Sequence, residues 1–357
     1  MTVMEVALQF RLPGKLLSAE PFGNGHINNT YRIGLDGKTD CLLQQINTAI
    51  FRKPEQVQQN ILSITSFLKE KIAAEGGDPL RETLTPVLTH GNTSFLVDDT
   101  GAFWRMYLFV PGTRSCEQPI SAEELFEAGR AFGIFERRLS MFPEKHLFET
   151  IPDFHNTPAR ACQLESAIQK DRTARVHAVQ DEIRFCYDRM EKTGLFEKAY
   201  AAGQIRKRVT HNDTKANNAL LDVRTGKALC VCDLDTVMPG FAAYDFGDAI
   251  RYGASLANED EADLSKVAFS VNNARAYAEG FLQEAGGIFP ADERQLLADG
   301  IWMITFEQAM RFLTDYLDGD RYYRTAYPEH NLIRARNQMA LVREIERYSQ
   351  EIRALVR

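Results

Sequence analysis

Hydrophobic and polar positions alternate with a period of two in the first hundred residues, in short runs separated by turns rich in Gly, Asn and Asp. The runs are LLSAEPF, TYRIGL and CLLQQI, and the intervening turns are GNGHINN and LDGKTD. This pattern predicts an antiparallel meander. Two further strands, TSFLVDDTG and AFWRMYLFVPG, are predicted before the Pro-Gly pair at 111–112.

A helical period appears in one early segment and in most of the chain after residue 112. Residues 54–74 carry apolar side chains three and four positions apart, from Val57 to Ile72, and predict an amphipathic helix. The later helical segments are 121–140, 158–192, 259–285, 292–318 and 331–356, interrupted by a β-like region at 205–235. We therefore predict an α+β fold with a small antiparallel-sheet lobe, 1–110, and a larger, mainly helical lobe, 111–357.

Composition and charge narrow the classes of partner. The 357 residues carry a formal net charge of −7, which gives no electrostatic footprint for nucleic acid or an anionic membrane. Small-molecule partners are favoured, and the oligomeric state is left open. The six cysteines lack C-x-x-C spacing, so neither a zinc site nor a disulfide framework is predicted. Without a secretory-type N-terminus or an apolar window of membrane-spanning length, a cytoplasmic location is expected.

The segment ALCVCDLDTVMPG, at 228–240, delivers Asp233 and Asp235 at the end of an apolar run. Two interpretations are open at this point. An aspartate attacks phosphate in phosphatases that carry an Asp-x-Asp-x-Thr element after a buried strand. In a phosphotransferase, an aspartate in this position holds Mg²⁺ instead.

The upstream segment VTHNDTKANN favours phosphoryl transfer. His211, Asp213 and Asn218 lie on one loop, and a strand, a turn and a second strand then lead to Asp233. Phosphoryl transfer needs a carboxylate beside the acceptor hydroxyl and oxygen ligands for Mg²⁺. We predict Asp213 as the catalytic base and Asn218 and Asp233 as metal ligands, with Lys215 reaching the transferred phosphate. A phosphatase would leave this loop without a role.

At these residues the chain resembles the aminoglycoside-phosphotransferase and choline-kinase-like family, whose fold is similar to that of protein kinases. The resemblance is closer to its branch of N-acetylhexosamine 1-kinases. It is carried by GNGHINNTY, LLQQIN, VTHNDTKANN, DLDTVMPG, YDFGDAIRYGAS, MRFLTDYLDGD and YPEHNL. The resemblance implies a bilobal kinase-like fold, ATP as donor, Mg²⁺ as cofactor, and phosphorylation of the C1 hydroxyl of N-acetylglucosamine or N-acetylgalactosamine.

The same resemblance implies a nucleotide site in the first lobe, and a catalytic loop and sugar site in the second. Gly23 and Gly25 flank a turn whose backbone N–H groups could cover phosphates, although a plain hairpin turn would look the same. Asn28 and Gln44 are further nucleotide-binding candidates. Protein kinases carry a phosphate-binding lysine on the strand where this chain has Gln44.

The acceptor pocket is expected to combine His26, Arg311 and Tyr322 with Asp213. Arg311 also has a structural interpretation, because Glu307 precedes it by four residues and could form an ion pair on a helix surface. Its apolar neighbours indicate a buried helix face, where an unpaired Arg would be costly. The substrate contact is therefore the favoured interpretation.

Two residues are predicted to support the catalytic loop without touching substrate. Asp245 begins an Asp-Phe-Gly tripeptide like the metal-binding tripeptide of protein kinases. It lies beyond the hairpin that carries Asp233, so Asp233 fits the metal-binding role better. We expect Asp245 to brace the loop through backbone N–H groups, with His211 as the second supporting residue.

Two other functions remain open from the sequence. The chain could phosphorylate another small hydroxyl compound, such as an aminoglycoside or an amino alcohol. It could also be a non-catalytic nucleotide-binding protein, although the joint presence of Asp213, Asn218 and Asp233 speaks against that.

Overall fold

The structure is a computed structural model that describes residues 1–23, 28–37, 39–116 and 120–357. The chain divides into two compact units, each described by itself below. The first comprises Met1–Cys116, Arg138–Pro152 and Asn218–Pro239, and the second comprises Glu117–Arg137, Asp153–Asn217 and Gly240–Arg357.

Strands and helices of the described residues are numbered in chain order. The strands are β1 (Leu16–Pro21), β2 (Asn29–Leu35), β3 (Cys41–Ile46), β4 (Leu96–Val97), β5 (Phe103–Leu108), β6 (Thr113–Ser115), β7 (Arg208–Thr210), β8 (Ala219–Asp222), β9 (Ala228–Val231) and β10 (Met238–Gly240). The α-helices are α1 (Val3–Ala7), α2 (Pro54–Ala74), α3 (Ala122–Leu139), α4 (Thr157–Lys170), α5 (Gln180–Tyr187), α6 (Leu195–Ala201), α7 (Ala242–Gly253), α8 (Val271–Ala285), α9 (Ala291–Asp318), α10 (His330–Arg347) and α11 (Ser349–Ala354). In the part of the chain that the structure describes, none of these helices is long and apolar enough to cross a membrane.

The first unit is built on a five-stranded sheet with the order β1-β2-β3-β5-β4. Every neighbouring pair in this sheet is antiparallel, which confirms the predicted meander. In the register between β3 and β5, Gln44 lies opposite Arg105. A second antiparallel sheet of the same unit has the order β6-β8-β9 and forms the predicted hairpin before Asp233.

Strand β5 is buried on both faces, which explains its almost continuous apolar sequence. Trp104 and Met106 pack into a core with side chains from α1, β2 and β3. Because side chains alternate along a strand, Arg105 and Tyr107 point to the opposite face, and both are also buried. A charged side chain thus lies on a buried face of the first unit.

Helix α2 has the predicted bounds, Pro54–Ala74, and begins at a proline that is compatible with the first helical turn. Its buried residues include three polar ones, Gln58, Asn60 and Thr65, and Asn60 is 2% exposed. The Asn60 amide donates to the backbone carbonyls of Phe148 (2.8 Å) and Val237 (3.0 Å), and its oxygen accepts from the Phe148 N–H (2.9 Å). Helix α2 therefore anchors the segment that follows Asp233.

The second unit is organised around α9, whose 28 residues pack against α4, α7 and α10. Side chains of α9 dominate its main core, which also takes residues from α4, α5 and α10. The apolar residues that α9 contributes to that core are Phe306, Ala309, Met310, Phe312, Leu313, Tyr316 and Leu317.

The structure confirms the later helical segments with two corrections. The predicted segment 158–192 is interrupted, because α4 ends at Lys170 and its C-cap residue, Asp171, adopts a left-handed conformation with φ 36°. The prediction of helix over 259–270 is wrong. The Asp263 side chain accepts the Ser265 N–H, and Ser270 caps α8 by accepting from Asn273, so polar side chains compete for the backbone and the helix begins only at Val271.

Helices α7 and α9 approach so closely that their contact requires glycine. A Cβ atom at Gly300 would lie 1.8 Å from the Ala243 carbonyl oxygen, and one at Gly247 would lie 2.3 Å from the backbone of Gly300. Neither gap can hold a methyl group, so any side chain there would force the helices apart. Helix α7 also carries Asp245, which connects this contact to the candidate site.

We expect Gly300→Ala to destabilise the protein by about 1–3 kcal/mol, the usual cost of overpacking a core. Gly287→Ala is the matched control, because a Cβ at Gly287 would meet no atom within 4 Å. Urea unfolding of both variants measures the difference. Equal stability of the two variants would contradict the close helix contact.

Candidate functional site

The loop at 211–215, directly after β7, carries the predicted base. The Lys215 Nζ lies 3.1 Å from the Asp213 Oδ1, and the Asp213 side chain is 26% exposed. Burial alone would raise the pKa of Asp213, but the Lys215 ammonium, followed by His211, outweighs it and lowers the pKa. The pKa of Lys215 is raised, first of all by the Asp213 carboxylate. Asp213 is therefore an ionised carboxylate at neutral pH.

Asp245 holds the backbone of this loop. Its carboxylate accepts the N–H of His211 (2.6 Å) and of Asn212 (2.7 Å), and its backbone carbonyl accepts the Thr214 hydroxyl (2.6 Å). Asn212 has φ 64°, in the left-handed region that costs energy for residues other than glycine. The buried carboxylate satisfies the N–H group of this strained residue and that of the residue before it.

His211 is fully buried and supports the loop by packing. Its ring meets Phe132 and Phe135 edge to face, with centroid distances of 5.4 and 5.8 Å. The His211 Nδ1 accepts the backbone N–H of Asp213 at 3.3 Å. The imidazole thus holds the backbone of the predicted base, and the supporting role expected of His211 from the sequence stays a prediction.

A second support for the loop, not predicted from the sequence, is formed by His155 and Glu307. The His155 Nε2 lies 3.1 Å from the Asn212 carbonyl oxygen, and its Nδ1 lies 2.9 Å from the Glu307 carboxylate. Thr157 donates to the other carboxylate oxygen at 2.7 Å. These residues come from distant parts of the chain, so no local pattern could have linked them to the loop.

The predicted metal ligands belong to the first unit, at the two ends of the β8–β9 hairpin. The Cys232 N–H donates to the Asn218 carbonyl at 2.9 Å, which closes the hairpin one residue before Asp233. Asp233 itself is left-handed, with φ 58° and ψ 60°. Amide and carboxylate oxygens are donors that suit Mg²⁺. Among the described residues, His, Cys, Asp and Glu side chains form no metal-binding group of three or more.

Asp235, two residues further on, is held by a buried cation. Its Oδ1 accepts a short hydrogen bond from the Arg105 Nη1, and its Oδ2 accepts from the Asn28 amide at 2.8 Å. The Arg105 Nε donates to the Gln44 Oε1 at 2.9 Å, and the Gln44 amide donates to the Thr30 hydroxyl at 3.1 Å. Two predicted nucleotide-binding residues, Asn28 and Gln44, therefore belong to the hydrogen-bond network around the buried Arg105–Asp235 pair.

Arg105 was missed in the sequence, although one signal was available. It is the only charged residue in the apolar run AFWRMYLFVPG, and its side chain is 2% exposed. Burial would lower the pKa of its guanidinium, but the Asp235 carboxylate outweighs burial and raises it. Such a residue is tolerated only with a partner of opposite charge. A lone cation in a buried strand thus predicts a buried carboxylate elsewhere in the chain.

Arg311 and Tyr322, both predicted for the acceptor pocket, lie together in the second unit. The Arg311 Cζ is 5.9 Å from the Tyr322 ring centre and 5.4 Å from that of Phe154. Its Nη1 donates to the Gln308 side chain at 2.7 Å and lies 4.0 Å from Glu307. The pairing with Glu307 considered from the sequence is therefore present, but it is buried and not on the helix surface, since the Arg311 side chain is 11% exposed and that of Glu307 is 0% exposed.

The glycine-rich turn is described only in part. Gly23 has φ 74°, which favours glycine, and a Cβ there would meet no other atom. Gly25 and His26 lie outside the described residues. The roles assigned from the sequence to the nucleotide, metal and sugar residues stay predictions.

Comparison with known proteins gives one family match. The model of a family described as "Phosphotransferase enzyme family" matches residues 18–281. An aminoglycoside phosphotransferase from Alicyclobacillus acidocaldarius has a similar structure, with a TM-score of 0.60 and 12% identity over 98% of this chain and 97% of that one.

Two further structures are similar over almost their whole length. Amicoumacin kinase hAmiN, solved in complex with AMP-PNP, Ca²⁺ and Ami, has a TM-score of 0.59 and 15% identity, covering 97% of this chain and 93% of that one. Spectinomycin phosphotransferase APH(9)-Ia, solved with ADP and spectinomycin, has a TM-score of 0.60 and 12% identity, covering 96% of this chain and 98% of that one. At such identities the similarity shows the fold, and the predicted kinase-like α+β fold is confirmed.

We expect Asp245→Asn to loosen the 211–215 loop. An amide offers one acceptor oxygen, so one of the two backbone N–H groups would face an NH₂ group. Losing a hydrogen bond to a charged group costs about 1.5–3 kcal/mol, or roughly ten- to over a hundredfold in local opening. Native-state hydrogen exchange at the backbone N–H groups of His211 and Asn212 measures this increase in local opening.

Asp263→Asn is the control, since this carboxylate is half exposed and bonds only within its own turn. Unchanged protection at His211 and Asn212 in Asp245→Asn would show that the loop does not depend on Asp245.

Proposed function

The chain belongs to the phosphotransferase enzyme family, and from this membership we propose that it is an ATP-dependent N-acetylhexosamine 1-kinase. The reaction would transfer the γ-phosphoryl group of ATP to the anomeric oxygen of N-acetylglucosamine or N-acetylgalactosamine. A bond forms between that oxygen and the γ-phosphorus, and the bond from this phosphorus to the bridging oxygen of ADP breaks. The hydroxyl proton passes to the Asp213 carboxylate. The products are ADP and the sugar 1-phosphate.

The observation that carries the proposal is the Asp213–Lys215 pair on a braced loop. A phosphotransferase needs a carboxylate that can orient the acceptor hydroxyl and take up its proton. Asp213 is ionised, partly exposed and fixed through its own backbone N–H and those of its neighbours. Lys215 adds a positive charge next to the point where phosphate oxygens would arrive.

The lowered pKa of Asp213 favours an acidic acceptor. A carboxylate of low pKa is a weak base and gives little help to an ordinary alcohol. An anomeric hydroxyl is more acidic than other sugar hydroxyls, so a weak base can assist its deprotonation. The lowered pKa of Asp213 therefore favours the anomeric oxygen, O1, over the other hydroxyl groups of the sugar as acceptor.

Asn218 and Asp233 are proposed to hold Mg²⁺. The fit rests on the donor atoms and on the hairpin that brings the backbone at Asn218 next to that at Cys232. When bound, Mg²⁺ would neutralise charge on the phosphate oxygens of ATP. The left-handed backbone at Asp233 is consistent with a functional position, since strain of this kind collects at binding sites.

Sugar recognition is proposed for Arg311 and Tyr322, together with His26. Arg311 is nearly buried and surrounded by aromatic rings, and Tyr322 is 58% exposed. Sites for small polar ligands combine apolar walls with a few polar groups of this kind. The motifs around these residues are the ones that carry the resemblance to sugar 1-kinases.

We expect Asp213→Asn to lower kcat by about 10²–10⁴-fold, the usual contribution of general-base catalysis. Nucleotide affinity should change little, because the amide keeps the shape of the side chain. Steady-state assays and calorimetry with AMP-PNP measure the two quantities. Asp292→Asn, an exposed change in the first turn of α9, is the control. Near-normal turnover in Asp213→Asn would remove it as the base.

Arg311→Ala should reduce kcat/KM for N-acetylglucosamine by roughly ten- to over a hundredfold, since a hydrogen bond to a charged group contributes about 1.5–3 kcal/mol. The KM for ATP should stay within a factor of about two. Arg275→Ala, an exposed change on α8, is the matched control. The methyl glycoside of N-acetylglucosamine, whose anomeric oxygen is blocked, should not react.

Phosphorus NMR of the products decides between the candidate functions. A phosphate on C6, or turnover of the methyl glycoside, would exclude a 1-kinase. Turnover of an aminoglycoside or amino alcohol in preference to the sugars would favour the alternative kinase. Absence of ATP turnover with every acceptor would favour a non-catalytic protein.

A further inference from the structure

Asp233 and Asp235 end the same hairpin but have different surroundings. Asp235 is 3% exposed, and both of its carboxylate oxygens accept hydrogen bonds from within the first unit. Asp233 begins a short 3₁₀ turn, Leu234–Thr236, in a left-handed conformation. Asp235 is therefore committed to structural partners within the first unit.

That partner, Arg105, is itself immobilised. Its Nε donates to Gln44, its register partner on β3, and its guanidinium lies 5.2 Å from the Tyr107 ring centre. Gln44 is in turn fixed by Thr30 on β2. A planar guanidinium with partners on two sides has little freedom to move. The clamp on Asp235 thus extends into three strands of the main sheet.

The backbone at Asp233 is anchored on both sides. Upstream, the Cys232 N–H donates to the Asn218 carbonyl. Downstream, Arg105 holds Asp235, and the amide of Asn60 on α2 donates to the Val237 carbonyl. A left-handed backbone at a residue other than glycine is energetically unfavourable and persists only where its surroundings enforce it.

We propose that Arg105 is a positioning residue for the metal: by clamping Asp235, it fixes the backbone of Asp233 and so presents that carboxylate to Mg²⁺ with the nucleotide. This inference rests on the proposed function, in which Asp233 is a metal ligand. Arg105 acts through Asp235, since its Nη1 is bound to that buried carboxylate and its Nε to Gln44. Arg105, which lies opposite Gln44 in the sheet, therefore supports the metal site without being a metal ligand itself.

The test removes both charges at once. Removing one partner of a buried ion pair leaves an unpaired charge and is strongly destabilising, whereas replacing both by apolar residues of similar volume is often neutral. The double variant R105M/D235L should therefore fold, as judged by its melting temperature. Calorimetry with AMP-PNP, with and without Mg²⁺, then gives the gain in nucleotide affinity that Mg²⁺ provides.

We expect this Mg²⁺-dependent gain to fall by about 10–100-fold in R105M/D235L, the range found when residues that orient a metal ligand are changed. Affinity without Mg²⁺ should stay within about twofold of the wild type. The matched control is R208M/E293L, which removes a second buried Arg–carboxylate pair, with 2.7 Å between Nε and Oε1 in the second unit, and should keep the full Mg²⁺ gain.

Each other result contradicts the inference in a distinct way. A full Mg²⁺ gain in R105M/D235L would make the pair purely structural. An equal loss of affinity with and without Mg²⁺ would mean that Arg105 contacts the nucleotide. A wild-type protein whose nucleotide affinity does not respond to Mg²⁺ would overturn the proposed function itself. If R105M/D235L does not fold, R105K answers the same question, because Lys keeps the charge but loses the two-pronged geometry, and the Mg²⁺ gain should still fall.

Discussion

The 211–215 loop depends on one buried carboxylate. Asp245 accepts the N–H groups of two successive residues, and the second of them, Asn212, has a left-handed backbone. Burial raises the pKa of Asp245 to about 7, although the two backbone N–H groups oppose this shift. Helix α7 can offer the carboxylate at this position only because Gly247 and Gly300 let α7 and α9 meet at backbone distance. Helix packing therefore decides where the predicted base lies.

The first unit fixes its strained residue by a related device. Asp233 is left-handed, and the buried group that holds its turn is the ion pair of Arg105 with Asp235. In each unit a buried charged side chain restrains a segment whose backbone would otherwise relax. The two devices differ in one respect. Asp245 acts on backbone N–H groups directly, whereas Arg105 acts on a carboxylate two residues from the one it positions.

The sequence predicted most of the elements, because periodicity reports directly on burial. Helix α2 and the β1–β3 meander follow from patterns of 3.6 and 2 residues. The helix predicted over 259–270 is absent, because a helical period does not reveal where a helix is capped. Ser270 is the N-cap residue at which α8 begins. In the candidate site, the local motif around Asp213 was readable. His155, Glu307 and Arg105 were not assigned, since their partners lie 57 to 152 residues away in the chain and only the folded structure brings them together.

The Arg105–Asp235 pair also bears on the phosphatase interpretation of the Asp-Leu-Asp-Thr element. A carboxylate that attacks phosphorus must be able to leave its hydrogen-bond partners. Asp235 cannot do so without leaving a guanidinium buried and unpaired, which costs several kcal/mol. The second aspartate of the element is therefore unsuited to nucleophilic attack or proton transfer. Because Asp235 is bound to Arg105, the hairpin is better suited to presenting one fixed oxygen ligand, at Asp233, than to presenting two reactive carboxylates. A single fixed ligand at this position agrees with membership of a phosphotransferase family.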